Sequence, residues 1–317
     1  MAMSGQNAPP WANAGVPRNR DVQSRGHYDM VHMMFPLVDT KDATAVRSEV
    51  QGIYAQLFPK GNRQFVADVF GWTLDCFQGQ YANFLPIDAR YHDLEHTMQG
   101  TLCFARLLLG YQQTNVQPAL SERMVQLGLL AILLHDTGYL KTKDDAEGTG
   151  AKYTLTHVNR SCEFAQRLLG EKHFAPVEIQ SVQNMIRCTG VNVDLSKIPF
   201  QTAEERVLGF ALGTADLLGQ MAAEDYVDKL GILFTEFEES ARYNGGKFTG
   251  AGAFASVQDL RSKTPMFWEK YVVPKINRDF QGLYRYLGGP LAQEDNFYVS
   301  RIRSNLSRLQ RELQTAA

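Results

Sequence analysis

The sequence contains no apolar run long enough to cross a bilayer. Its longest uninterrupted apolar stretch, residues 127–134, is far shorter than the about 20 residues that a spanning helix needs. The first thirty residues also contain no apolar core of a signal peptide, so export is not expected. We therefore predict a cytoplasmic protein without a membrane partner.

An excess of either charge is also missing. The 32 basic and 34 acidic side chains give a net charge of -2, which removes the long-range attraction to nucleic acid. The four cysteines lie far apart, make no metal-knuckle spacing and are predicted to be reduced, buried thiols. The remaining class of partner is a small molecule, and the chain could act as a homodimer.

Alternating β-strand patterns and internal repeats are absent, and 3.6-residue apolar periodicity dominates instead. Residues 1–25, rich in Pro, Asn, Ser, Gly and Arg, are predicted to be a flexible tail. Residues 26–317 are predicted to form a single all-α domain, with a Gly-rich break at 244–253 and an interruption at Pro274 in the helical block 266–286.

Two short histidine clusters interrupt these helices. His92 and His96 are four residues apart, a spacing that predicts one helix face and one shared pocket. His135 and Asp136 follow an apolar helix. Each cluster alone is also compatible with ordinary capping or hydrogen-bonded residues.

Burial makes the second cluster informative. Residues 127–134 are apolar all round, so their helix is expected to cross the core and to deliver His135 and Asp136 to its inner edge. A carboxylate there costs several kcal/mol unless a cation neutralises it. The same holds for Asp216, a lone charge among small and apolar residues, although a single such carboxylate is more often structural. Together, these imidazoles and carboxylates predict a divalent-metal site.

The order of these residues resembles that of the HD superfamily of metal-dependent phosphohydrolases. The segment YHDLEH at 91–96 is similar to the YHNxxH segment of cyclic-nucleotide phosphodiesterases, LHD at 134–136 to their HD pair, and Asp216 to their distal Asp. The resemblance covers about residues 88–240. It implies an HD-type helical bundle with extra N- and C-terminal helices.

The resemblance also implies the roles of individual residues. The first metal would be bound by His96, His135, Asp136 and Asp216. Asp136 would bridge to a second metal and so belong to the catalytic residues. The N/O ligand set suits one or two ions of Mn²⁺, Fe²⁺, Zn²⁺ or Mg²⁺ without choosing among them.

By the same resemblance, His92 would be the general acid that protonates the leaving oxygen, oriented by Asp93 or Glu95. Two positions depart from the family pattern. Asp93 stands where the phosphodiesterases have Asn, and Tyr139 stands where they have a further His.

Other residues are candidates for the same site. His157 is expected to contribute to a second metal or to touch the phosphate, with Thr156 as the N-cap of its helix. Lys152 and Arg160 could meet phosphate charge, and Gln220, one turn beyond Asp216, could read a nucleotide base through its amide. The alternative for each is a solvent-facing side chain.

The expected function is therefore hydrolysis of a phosphate ester, of a nucleotide in particular, by a metal-activated hydroxide. The alternative is a non-catalytic signalling module of HD fold that binds metal or nucleotide. A third, smaller alternative is the oxidative chemistry of a minority of HD-fold di-iron proteins.

Overall fold

The computed structural model describes residues 35–245, 254–288 and 296–315. Within these ranges there is no β-strand, only one isolated bridge between Phe84 and Thr142, and helices dominate. The all-α prediction is confirmed. The helices of the described residues all fall within one compact unit, Leu37–Ala317. The predicted tail, 1–25, lies outside the described residues.

Ten α-helices occur in the described part of the chain. They are α1 (Ala43–Leu57), α2 (Arg63–Phe77), α3 (Leu94–Gln113), α4 (Glu122–Leu134), α5 (His157–Glu171), α6 (Pro176–Ile186), α7 (Ala203–Met221), α8 (Tyr226–Tyr243), α9 (Val257–Phe267) and α10 (Phe297–Thr315). Short polar side chains cap several of them. Asp42, Ser121 and Thr202 accept hydrogen bonds from the backbone N–H groups of the first turns of α1, α4 and α7.

Helix α4 lies at the centre of the core. Every residue from Val125 to Leu134 is buried, as expected for a helix that is apolar on all sides. It packs against α3, α6 and α7, and α3 and α7 run along each other. These three helices pack around α4, whose C-terminal end lies at the site described below.

Glycines allow the close approach of α3, α4 and α7. A Cβ on Gly219 of α7 would lie 2.8 Å from the backbone carbon and oxygen of Gln99 on α3. A Cβ on Gly100 would lie 3.3 Å from Ile132 of α4 and 3.8 Å from the Cα of Asp216. The absence of side chains here brings the three helices together within one turn of His96 and Asp216.

The C-terminal part is less regular. After α9, two π-helical turns, Trp268–Val272 and Lys275–Asp279, flank Pro274, and a 3₁₀ segment follows at Leu283–Gly288. Pro274 does not end the helical path as predicted: it keeps helical dihedral angles, φ -60° and ψ -41°, and the change at this point is from α to π geometry on either side of it. Most of the predicted Gly-rich break and the predicted start of the last helix at residue 293 lie outside the described residues.

The structure also bears on the predictions about the cysteines and about membrane-spanning segments. The four cysteines are free and buried, as predicted. Among the described residues, no helix combines the length and the apolar character needed to span a membrane.

Candidate metal centre

Two imidazoles and two carboxylates meet at the end of α4. His96 Nε2 lies 3.1 Å from Asp136 Oδ2 and 3.2 Å from Asp216 Oδ1. His135 Nε2 lies 3.3 and 3.5 Å from the same two oxygen atoms. One nitrogen of each histidine and one oxygen of each aspartate therefore surround a common point, although α3, the α4 end and α7 are distant in sequence. Of these four side chains, His96, His135 and Asp216 form a group that could hold a metal ion.

The local backbone fixes these side chains. His135 is the C-cap of α4, and its Nδ1–H donates to the Ile132 carbonyl at 2.7 Å, which leaves Nε2 directed at the carboxylates. His96 lies in the first turn of α3, where its backbone N–H donates to the Asp93 side chain. Thr137 donates its hydroxyl to the Leu134 carbonyl and holds the chain as it leaves α4.

The donor atoms suit a cation. His135 Nε2 and Asp136 Oδ2 are buried and have no hydrogen-bond partner of good geometry among the described residues. Buried polar atoms in native proteins are nearly always satisfied, so two orphaned atoms facing each other indicate a missing partner. Mixed imidazole and carboxylate ligation is what a borderline divalent ion prefers.

The electrostatics of the cluster are strongly coupled. Burial alone would lower the pKa of His96, but the neighbouring Asp136 and Asp216 outweigh it and raise the pKa to about 9. The pKa of His135 is raised by the same carboxylates against the effect of burial. Burial would raise the carboxyl pKa values of Asp136 and Asp216, yet His135 and His96 hold both well below the usual range. Negative and positive charges therefore compensate each other inside the core.

His157 faces the other oxygen of Asp136. It is the first residue of α5, and its Nε2 lies 3.8 Å from Asp136 Oδ1, while its Nδ1–H donates to Thr154. Gly138 makes this approach possible, because a Cβ there would lie 2.0 Å from the His157 carbonyl oxygen. The predicted N-cap, Thr156, makes no capping hydrogen bond and donates to the Tyr153 carbonyl instead.

His92 does not lie on the α3 face that its spacing predicts. Helix α3 begins at Leu94 with Asp93 as its N-cap, so His92 lies in the segment before the helix. Its ring centroid is nevertheless 5.4 Å from that of His96. Both imidazoles therefore reach one pocket, as expected, but by a different local structure.

The partner of His92 is Glu236 rather than Asp93 or Glu95, so the sequence-based prediction is wrong. Glu236 Oε2, on α8, lies 2.6 Å from His92 Nδ1. Asp93 is occupied in capping α3, and Glu95 pairs with Lys229 at 2.6 Å. Glu236 lies in the segment 236–239, whose three glutamates favour a solvent-exposed surface. In the structure, however, Glu236 is only 4% exposed.

Glu236 also holds the backbone that carries His92. Its Oε1 accepts the backbone N–H groups of Arg90 and Tyr91, both at 2.7 Å. Burial would raise the pKa of Glu236, but His92 and these N–H donors lower it. The carboxylate is therefore ionised and fixed in place by three donors.

The Tyr139 ring lies against the imidazoles of His92 and His157, whose own ring centroids are 6.3 Å apart. It stacks on His92 at 4.5 Å and 11°, and on His157 at 4.8 Å and 20°. The side chain is fully buried. The phenol ring therefore contacts both imidazoles without lying between them.

The predicted substrate-binding residues have partners within the protein. Arg160 donates to the carbonyls of Gly138 and Leu140 at 2.7 and 2.8 Å. Lys152 contacts the Asp145 carboxylate and donates to the Glu147 carbonyl. Both cations thus stabilise the loop after Asp136 through these contacts. Contact of either with a substrate stays a prediction.

Gln220 lies beside the metal centre. It accepts the Tyr91 hydroxyl at 2.9 Å and donates to the Asp216 carbonyl at 3.2 Å. Its amide is thus tied to a ligand-bearing turn of α7, and base recognition by it stays a prediction.

A protein-family model matches residues 43–312, a range that contains every residue of the cluster. The chain belongs to the Npun_R2479-like family. No curated protein matches the chain. Membership in this family carries no activity with it, so function has to be argued from the site.

Proposed function

We propose that this member of the Npun_R2479-like family is a metal-dependent phosphohydrolase of HD type that hydrolyses a phosphate ester, in particular that of a nucleotide. The observation that carries the proposal is the convergence of His96 and His135 on Asp136 and Asp216: each histidine Nε2 lies 3.1–3.5 Å from one oxygen of each aspartate. Their order along the chain resembles that of the HD superfamily.

The four side chains would hold one divalent ion. Such an ion supplies Lewis-acid activation of a phosphoryl oxygen and a hydroxide at neutral pH. Asp136 presents its second oxygen to His157, so these two residues are the candidates for holding a second ion.

His92 is suited to hold and deliver a proton. Glu236 accepts from its Nδ1–H, which leaves Nε2 as the atom that can carry a proton to a leaving oxygen. The His92 side chain is 15% exposed, against 4% for His96 and 1% for His135, so a substrate can reach it more readily than it reaches the ligands. A purely structural metal site would need no such donor.

Metal content and turnover test the proposal together. The purified chain is loaded with Mn²⁺, its metal content is measured, and it is assayed with bis(p-nitrophenyl) phosphate, p-nitrophenyl phosphate and a panel of cyclic and linear nucleotides. We expect His135→Ala to lose both metal and turnover. Stoichiometric metal without metal-dependent turnover would favour the non-catalytic binding module instead, and oxidation of a substrate by an iron-loaded chain would favour the oxidative alternative.

The proton donor is tested separately. His92→Ala should lower turnover by about 10²-fold or more with unchanged metal content, the effect of removing a general acid. Glu236→Gln should lower it less, because the imidazole remains, and should change the pH profile. Glu238→Gln, an exposed position on the same helix, is the matched control. Loss of metal in His92→Ala would show that His92 is a ligand and would refute its role as acid.

A further inference from the structure

A second charged cavity lies between residues 191–193 and the two π-helical turns around Pro274. It has a volume of about 300 Å³ and is lined by residues that include Val191, Tyr271 and Lys275. None of the residues of the metal centre lines it. The Tyr271 hydroxyl donates to the Val191 carbonyl at 3.0 Å and closes one side of the cavity.

Lys275 is a buried cation without a counter-charge. The residue is 6% exposed, and it forms no ion pair with a carboxylate of the described residues. Its ammonium lies instead near the rings of Tyr271 and Phe280, 5.4 and 5.5 Å from their centroids. Aromatic faces attract a cation but do not neutralise it, so the charge is held in the protein at a cost.

The charge of a second buried lysine, Lys141, is compensated by neighbouring groups. Lys141 is 5% exposed, pairs with Asp88 at 3.2 Å and donates to the Gly148 carbonyl. Lys275 has neither kind of partner within the described residues. Burial accordingly lowers the pKa of Lys275, which nearby Asp279 only partly opposes.

Further positive charge surrounds the cavity. Lys270 and Arg278 line it and are exposed. The one acidic side chain among its lining residues, Asp279, accepts a hydrogen bond from Arg278 Nε at 3.0 Å. Three cations thus face one carboxylate, in a chain whose net charge is -2. The local positive charge is therefore a property of this cavity and not of the protein surface in general.

The backbone around the cavity is also unusual. Two π-helical turns place Tyr271 and Lys275 on opposite sides of Pro274. Such widened turns are rare, and they occur frequently at functional sites. They carry the aromatic ring and the ammonium into the same cavity.

We propose that this cavity binds a phosphate-bearing anion, with the Lys275 ammonium as its central contact and Lys270 and Arg278 at its rim. The volume is at the lower end of the range of ligand pockets, so it fits inorganic phosphate or a small phosphomonoester. An anion would supply the counter-charge that Lys275 lacks. This inference does not depend on the proposed hydrolase activity.

Inorganic phosphate is the probe for this site. Its binding to the full chain is measured by calorimetry in chloride buffer, with wild type compared to Lys275→Met. We expect the variant to bind about 10- to 100-fold more weakly, the loss expected for a charge-assisted hydrogen bond. Lys263→Met removes the same charge from α9, where Lys263 pairs with Asp259, and should leave the affinity unchanged.

Two further variants separate the possible outcomes. His135→Ala, which disrupts the metal centre, should keep the binding that depends on Lys275. Lys270→Ala/Arg278→Ala changes exposed residues only, and should weaken binding severalfold even if Lys275→Met folds poorly. Equal affinity in wild type and Lys275→Met, or no binding to wild type at millimolar phosphate, would overturn the proposal.

Discussion

The metal centre and the cavity beside Pro274 both contain buried charge, but they differ in how that charge is compensated. At the end of α4, Asp136 and Asp216 face His96 and His135, and each sign of charge shifts the pKa of the other. In the cavity beside Pro274, Lys275 is buried near two aromatic rings, and no carboxylate of the described residues pairs with it. The first site is balanced by the chain itself, whereas the second is not.

The difference indicates what each site requires from outside. The balanced cluster can exist without a ligand, because its protons already offset its carboxylates, and a divalent ion would replace those protons. The unbalanced cavity gains from an anion directly. The following variants test this contrast, in order of decreasing expected effect.

The largest effect is expected at Asp136, which faces both His96 and His157. Asp136→Asn should lower turnover about 10³-fold or more, because several kcal/mol of transition-state stabilisation depend on the metal. Metal content should fall with it, while phosphate binding that depends on Lys275 persists. Asp144→Asn, at an exposed position, is the control with the same charge change. Full activity in Asp136→Asn would contradict the proposed centre.

The second-largest effect is expected on the stability of the metal-free protein. Asp216→Asn should lower the free energy of unfolding by about 3 kcal/mol, since removing one member of a buried charged cluster leaves its partners uncompensated. Urea denaturation in the presence of a chelator measures this. If the variant unfolds at the same urea concentration as wild type, the cluster does not balance itself as we infer.

The helix contact that assembles the metal centre can be tested without changing any charge. Gly219→Ala places a Cβ 2.8 Å from the Gln99 backbone and should cost about 1–3 kcal/mol of stability through overpacking. Gly71→Ala in α2, where nothing lies within 4 Å of the new Cβ, should instead stabilise by about 0.5–1 kcal/mol. Thermal unfolding of the pair is the measurement, and equal shifts would show that the close contact carries no cost.

The smallest effect is expected at the unbalanced site. Lys275→Met should raise the free energy of unfolding by about 1 kcal/mol in phosphate-free buffer, because an apolar side chain of similar length replaces an uncompensated charge. Urea denaturation checks it, with Lys263→Met within about 0.5 kcal/mol of wild type as control. A large destabilisation in Lys275→Met would show that its aromatic contacts outweigh the cost of burial.

The helices were predictable where local signals agree with burial. Helix α7, Ala203–Met221, carries both signals, because Thr202 caps it and most of its apolar residues are buried in the core. The apolar run before His135 predicted a buried α4 for the same reason. Both features depend on neighbours in sequence.

The contacts of the site were predictable only in part. The order of His96, His135, Asp136 and Asp216 indicated a shared cation, and they do meet. Glu236 could not be found, because it contacts His92 from 144 residues away and its acidic neighbours favour a solvated face. The predicted α3 position of His92 fails because the Asp93 side chain caps the helix after it.

The contact of the Tyr139 ring with both His92 and His157 provides a spectroscopic probe inside the site. Any ion or ligand that turns either imidazole would alter the ring-current environment of the phenol. A fluorine atom placed on this ring would therefore sense occupancy by ¹⁹F NMR, without an assay and without knowing the substrate.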